Sequence, residues 1–262
     1  METGVQFERE GGKVRVKYAI PSQNLFRQIT SNAVSIGMKV NAAKTNLVAV
    51  SDALSFKAES YIEDVDGTVL RTGGGMKVLG FHLSDRPTVG SHIEALNKRL
   101  RARLWVLRHL RESGFSEEEL VRVYKVVIRP VHDYLCVVYH PMMTDEHDER
   151  VERMQAQALK SIFGWKIPYA ELRKRADVST LWQRRVELCD KFAAKCAESQ
   201  RFGQWFPLRG GARRSGRTAP EKYQEFFARC DRLKNSPLHY MRRRLNGKAG
   251  KQYGEQNRKY RD

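Results

Sequence analysis

The chain has 262 residues, 48 Lys and Arg against 30 Asp and Glu, and a formal net charge of +18. That length carries one large domain or two small ones, and the positive excess favours phosphate polymers or anionic surfaces as partners. No stretch reaches the roughly 18 apolar residues that a membrane-spanning helix needs, and Met1 to Gly12 lacks the basic start and apolar core of a secretory signal.

In chain order, Val14, Val16 and Tyr18 alternate with Lys and Arg, which predicts an edge strand or an arm. A helix is expected over 24–36, with Leu25, Ile29 and Ala33 on one face and Gly37 as its C-cap. Leu47 to Val50 reads as a short strand. Tyr61–Ile62 and Thr68–Leu70 flank Asp66-Gly67, a hairpin turn signal. Gly73 to Gly75 reads as a flexible turn rather than a phosphate cradle, because no Lys-Thr and no helix start follow it. Met76 to Leu83 reads as a further strand.

From Val89 onward the pattern is helical. Behind a Ser91/Glu94 capping box, Ile93, Leu96, Leu100, Leu104, Leu107 and Leu110 recur at spacings of three and four. The opposite face holds Lys98, Arg99, Arg101, Arg103 and Arg108, to be read either as a phosphate-binding stripe or as a solvated face. Gly114 stops that helix. A Ser116/Glu119 capping box opens the next, with Leu120, Val123, Tyr124, Val127 and Ile128 inward, and Pro130 is expected to kink or end it. Thr144 caps a third long helix through Val151, Met154, Ala158, Leu159 and Ile162, closed by Gly164. A short helix over 168–175 follows. A last one spans 178–199, with Leu181, Trp182, Cys189, Phe192 and Cys196 inward.

Beyond that point the composition changes. Arg201 to Asp262 carries 17 Lys or Arg against 5 Asp or Glu, a net +12 of the total +18, and is rich in glycine. Such a segment is expected to fold poorly. Its clusters, Arg213, Arg214 and Arg217, then Arg242, Arg243 and Arg244, interleave with Trp205, Phe206, Tyr223 and Tyr240. They suit phosphate contact with base stacking, or else a nuclear-import signal. The fold class is therefore α+β: a small antiparallel sheet with one helix, a mostly α-helical bundle, and a basic, partly disordered C-terminal tail. Four cysteines (Cys136, Cys189, Cys196 and Cys230) form no CxxC pair, which suits a reducing nuclear or cytoplasmic compartment.

One order of motifs is informative beyond periodicity. Gly37-Met38-Lys39-Val40-Asn41-x-x-Lys44-Thr45 precedes a strand and a hairpin. Then come Val78-Leu79-Gly80-Phe81-x-Leu83, a Leu/Arg-rich helix, and Tyr124-Lys125-Val126-Val127-Ile128-Arg129-Pro130. That series resembles the C-terminal half of the reverse transcriptase of non-LTR (LINE-type) retrotransposons. Gln155, Ile162-Phe163-Gly164, Leu181 to Arg185 and Phe192 extend the likeness, which covers roughly 15–200.

The resemblance implies a partial palm with a primer-grip-like hairpin over 1–88, a thumb/connection-like bundle over 89–200 and a basic extension over 201–262. Leu79, Gly80 and Phe81 fall at the primer grip. Lys44 falls where the family's palm lysine lies near the incoming triphosphate. The basic helix would face the template and primer. Implied partners are RNA, DNA or an RNA–DNA hybrid, together with a chain that supplies the missing palm; no membrane is implied.

The family's chemistry needs carboxylates that hold two Mg²⁺ ions. No Asp-Asp dipeptide occurs in this sequence, and Asp64 and Asp66 are split by Val65. The expectation is therefore a polymerase fragment that binds nucleic acid, has no catalytic residue beyond the Lys44 position, holds no cofactor by itself and is inactive alone. The alternative is a non-catalytic interaction module, or an expressed pseudogene product without selected activity. His132, Cys136 and His140, four apart, would offer metal donors from one helical face. A straight helix rarely wraps a tetrahedral ion, so packing is expected and no metal site is assigned.

Overall fold

A computed structural model describes residues 5–10, 13–41, 44–48, 61–63, 69–71, 73–84, 88–209, 222–228 and 231–247. The chain divides into two compact units, 1–91 and 92–262.

In the first unit, β1 (Val5–Glu10) pairs antiparallel with β2 (Lys13–Ala19), which leads directly into α1 (Ile20–Ser35). The expected arm is thus half of a hairpin. Gly37, at φ 75°, turns the chain out of α1 as a C-cap glycine should. The inward face of α1 is not the expected one, because Leu25 and Ile29 are 58% and 50% exposed whereas Thr30 is buried. Burial of a threonine is tolerable here because its hydroxyl donates to the Phe26 and Arg27 carbonyls at 3.1 and 3.0 Å. The less exposed line is Phe26, Thr30 and Ala33, which keeps Ala33 of the expected face and replaces Leu25 and Ile29 by the residues that follow them.

β3 (Tyr61–Glu63) and β4 (Val69–Arg71) pair antiparallel, with the buried Ile62 and Leu70 directly opposite each other. The Asp66-Gly67 turn itself lies outside the described residues, as do positions 49 and 50 of the expected strand; Leu47 accepts a hydrogen bond from the Gly73 amide at 2.9 Å.

Met76 to Leu83 is not one strand. β5 (Gly75–Val78) reverses at Leu79-Gly80 and returns as β6 (Phe81–Ser84), with Val78 opposite Phe81 and Gly75 opposite Ser84. Leu79 and Gly80 have φ 49° and 91°, the two positive values of a type I′ hairpin turn. The apolar positions shift phase at the reversal, from Met76 and Val78 to Phe81 and Leu83, so all four lie on one side of the hairpin. Among the described residues the strands form three separate two-stranded ladders rather than one sheet.

The second unit is helical. α2 (Gly90–Glu112) begins before Ser91, so Ser91 lies inside the helix. Its Ile93, Leu96, Leu100, Leu104 and Leu107 are all buried, as the stripe requires. α3 (Glu117–Val123) starts at a complete Ser116/Glu119 capping box. It runs into a π-helical turn, Tyr124–Ile128, and on into α4 (Arg129–Asp133), so Pro130 neither ends nor replaces the helix. The wider i→i+5 turn, closed by the Arg129 amide on the Tyr124 carbonyl, precedes a residue that has no N–H to offer.

The break comes later, at extended Tyr134 and left-handed Leu135, before α5 (Cys136–Tyr139). α6 (Asp145–Phe163) is capped by Thr144 and ended by Gly164, α7 is Tyr169–Ala176, and α8 (Leu181–Glu198) starts at a Thr180/Gln183 capping box. On α8 the buried residues are Leu181, Arg185, Cys189, Ala193 and Cys196, whereas Phe192 is 44% exposed.

Part of the basic segment belongs to this unit. α9 (Asp231–Lys234) and α10 (Pro237–Leu245) follow a Leu208–Tyr223 bridge, and Met241 joins Ala193, Cys196 and Phe206 in a small core against α8. The Asn246 side chain ties this turn down by accepting from the Tyr223 amide at 2.9 Å and donating to its carbonyl at 3.0 Å.

Candidate nucleic-acid interface

The outer face of α2 divides in two. Arg108 donates to the Ser161 hydroxyl at 3.4 Å and Arg111 to the Ser161 carbonyl at 2.7 Å. Ser161 lies in the last turn of α6, where carbonyls lack helical partners and the dipole favours a cation, so these two arginines hold α2 to α6. Arg103 donates to the carbonyl of Val127 in the π-helical turn. Lys98, Arg99 and Arg101 are exposed and have no ion-pair partner among the described residues. The sequence-expected stripe therefore contracts to these three cations.

Between them and the C-terminal end of the helix stands Trp105, 65% exposed, its indole stacked on the His109 imidazole at 5.4 Å with planes 5° apart. His109 Nδ1 in turn lies 3.6 Å from the Glu112 carboxylate. Trp105 escapes a reading that follows only the leucine stripe. Its signal is a large aromatic out of phase with Leu100, Leu104 and Leu107, set among arginines.

The other expected contacts fall elsewhere. Arg242 is 2% exposed; its Nε donates to the Trp205 carbonyl at 2.9 Å and its guanidinium lies 3.9 Å over the Phe226 ring. Arg243 donates to the Lys234 carbonyl at 2.7 Å, and Arg244 pairs with Asp190 through Nε at 2.7 Å. Arg242 to Arg244 are thus spent on internal contacts, because the segment folds against α8. Phe206 and Tyr240 are buried with it, while Trp205 is 45% exposed. Arg213, Arg214 and Arg217 lie outside the described residues.

Lys44 lies in the first unit, exposed, beside a Thr45 hydroxyl that donates to the Asn41 carbonyl at 2.9 Å. Leu79, Gly80 and Phe81 are the β5–β6 turn and its exit, with Leu79 82% exposed. Asp64 and Asp66 lie outside the described residues. Asp148 is buried in an ion pair with Arg185, a fully buried guanidinium that also donates from Nε to His140 Nδ1 at 3.3 Å.

His132, Cys136 and His140 do not share a helical face, because the chain breaks at Tyr134–Leu135 between the first and second. All three are buried with separate surroundings: the Cys136 thiol meets that of Cys189, and His140 Nε2 lies 3.3 Å from the Tyr240 hydroxyl. Among the described residues no group of three or more His, Cys, Asp or Glu is arranged to hold a metal ion.

No protein-family model, curated protein or solved structure matches the chain.

A polar network that sequence reasoning missed keeps α6, α7 and α8 in register. Glu152 accepts the Leu181 amide at 3.3 and 3.1 Å and the Tyr169 hydroxyl at 2.5 Å. Gln155 donates to Tyr169 at 2.8 Å and to the Ser179 carbonyl at 3.0 Å, and it accepts from Tyr124. Burial raises the Glu152 carboxyl above its ordinary range, against the pull of these donors and of Arg185. A carboxylate at the first amide of α8 is well placed for the helix dipole. Tyr124, Glu152, Gln155 and Tyr169 are all buried, so the network ties these helices together and presents no open site.

No helix among the described residues is long and apolar enough to cross a membrane.

Proposed function

We propose that this chain is a fragment of a reverse transcriptase of the non-LTR retrotransposon type, which binds RNA or an RNA–DNA duplex through its phosphates and does not polymerise alone. The observation that carries the reading is the exposed trio Lys98, Arg99 and Arg101 on α2, unpaired among the described residues, in a chain of net charge +18. The resemblance in motif order from Gly37 to Pro130 supports the family part of the reading. Phosphate contact by a few cations releases counterions, so binding should weaken linearly in log–log salt, with a slope of roughly −0.7 to −0.9 per phosphate neutralised. Titration of labelled RNA and RNA–DNA duplex from low to physiological salt is the test, and an affinity that ignores salt would sink the reading. Primer extension with Mg²⁺ should give no product, and any extension by the pure chain would overturn the claim of inactivity.

A second reading, an interaction module, is favoured by the first unit. Leu25, Ile29, Val34, Ile36 and Met38 on and after α1 are all at least 50% exposed. Such an apolar surface favours association. A monodisperse monomer at high concentration would count against this reading.

A further inference from the structure

Phosphate contact does not account for Trp105. An indole on the outer face of a helix leaves apolar area in water, and here 65% of the residue is accessible. The side chain is nevertheless held: the His109 ring lies parallel to it, 5.4 Å away, and the Glu112 carboxylate sits 3.6 Å from His109 Nδ1. One face of the indole is therefore backed, while the residue as a whole stays 65% accessible. Arg101 is four residues before Trp105 and Lys98 seven before, so all three lie along one line of the helix. Position 102, three residues before Trp105, is an exposed alanine, a small side chain beside this line. The acidic groups on this face are Glu94 and Glu112, one at each end of the line, outside the stretch from Lys98 to Trp105.

Two cations and a backed, exposed aromatic ring in a row match a nucleic-acid strand that offers phosphates and an unpaired base. In a duplex the base faces are stacked on each other and closed to an indole, whereas a single strand presents them. We infer that Trp105 is a stacking platform for an unpaired base of a single-stranded RNA or DNA segment, with Arg101 and Lys98 taking the neighbouring phosphates. This rests on the nucleic-acid reading above and adds to it a preference that charge alone does not give.

The test uses the full chain, a fluorescein-labelled oligouridylate and a blunt RNA–DNA duplex of equal length at one salt concentration. Trp105→Ala should weaken the single strand by about tenfold or more, the loss of one base–aromatic stack, and leave the duplex affinity within about twofold. Trp105→Phe should recover most of the single-strand affinity. Since the side chain is exposed, the melting temperature of the variant should equal that of the parent.

Equal weakening of both ligands, or of neither, overturns the stacking role while the nucleic-acid reading stands. Salt-insensitive or absent binding by the parent chain removes both. If sedimentation shows the parent chain self-associated and Trp105→Ala monomeric, with unchanged affinity for the single strand, the ring belongs to a protein contact and the inference fails.

Discussion

The Arg242 guanidinium donates to the carbonyl oxygen of Trp205, 2.9 Å from Nε, and lies 3.9 Å over the Phe226 ring. An arginine in a basic run of three is thereby a packing residue. Its loss leaves the Trp205 carbonyl without this donor and removes a cation–π contact. Arg242→Ala should lower the unfolding free energy by about 2 kcal/mol and leave the salt slope of RNA binding unchanged. Changing Lys98, Arg99 and Arg101 together to Ala should do the reverse: a salt slope shallower by roughly 2 and unchanged stability. Urea melts and salt titrations of the two variants separate the roles.

Asp148 and Arg185 form a buried pair, and a pair of this kind is most damaging when half of it is removed. Asp148→Ala should destabilise by roughly 3–5 kcal/mol, because the guanidinium stays buried without its counter-ion. The double change Asp148→Leu, Arg185→Met should cost less than the single one, since an apolar pair carries no desolvation penalty. A double variant less stable than Asp148→Ala in denaturant melts would show that the wider contacts of Arg185 with His140 matter more than the charge pair.

His132 is buried and neutral. Burial, then the charges of Arg185 and Arg129, pushes its pKa down to about 3 from 6.5, and Nδ1 has no hydrogen-bond partner among the described residues. Between those two values the unfolded chain takes up a proton that the folded chain refuses. Stability contributed this way is intact above the unfolded pKa and is lost as pH falls below it. From about pH 7 to about pH 5 this group should remove about 2 kcal/mol, and His132→Leu should flatten that part of the profile. An unchanged acid slope in the variant would place the effect on another group.

Gly75 faces Ser84 across the β5–β6 ladder, and a Cβ there would lie 2.7 Å from the Leu83 carbonyl oxygen. Neither partner is a flexible side chain, so the strands must separate. Gly75→Ala should cost about 1–3 kcal/mol and raise amide exchange over 75–84 while leaving α2 to α8 protected. Protection in the hairpin equal to that of the parent would show that the ladder can slide to admit the methyl group.

Much of the second unit was legible because helical order is local. The Ser116/Glu119 pair, Thr144, Gly114 and Gly164 act within a turn of themselves, and the leucines of α2 bury as their spacing of three and four demands. The class, α+β with a small antiparallel part and a helical bundle, follows from the same patterns. The hairpin within Met76 to Leu83 left only a faint trace in the sequence, a phase shift of the apolar positions at Leu79-Gly80, and the positive φ of those two residues marks it in the fold. Arg185 carried a faint signal, a charge in phase with Leu181 and Cys189, yet its partner Asp148 is 37 residues away.

By itself the sequence determined the charge, the helix ends at Gly114, Ser116, Thr144 and Gly164, and which face of α2 is apolar, since each depends on neighbours within a turn or on composition. Tertiary structure decided which basic residues remain free. Arg103, Arg108, Arg111, Arg242, Arg243 and Arg244 meet carbonyls, a hydroxyl or a carboxylate brought near by folding, whereas Lys98, Arg99 and Arg101 meet none among the described residues. A guanidinium's availability depends on distant acceptors, and sequence spacing does not encode them.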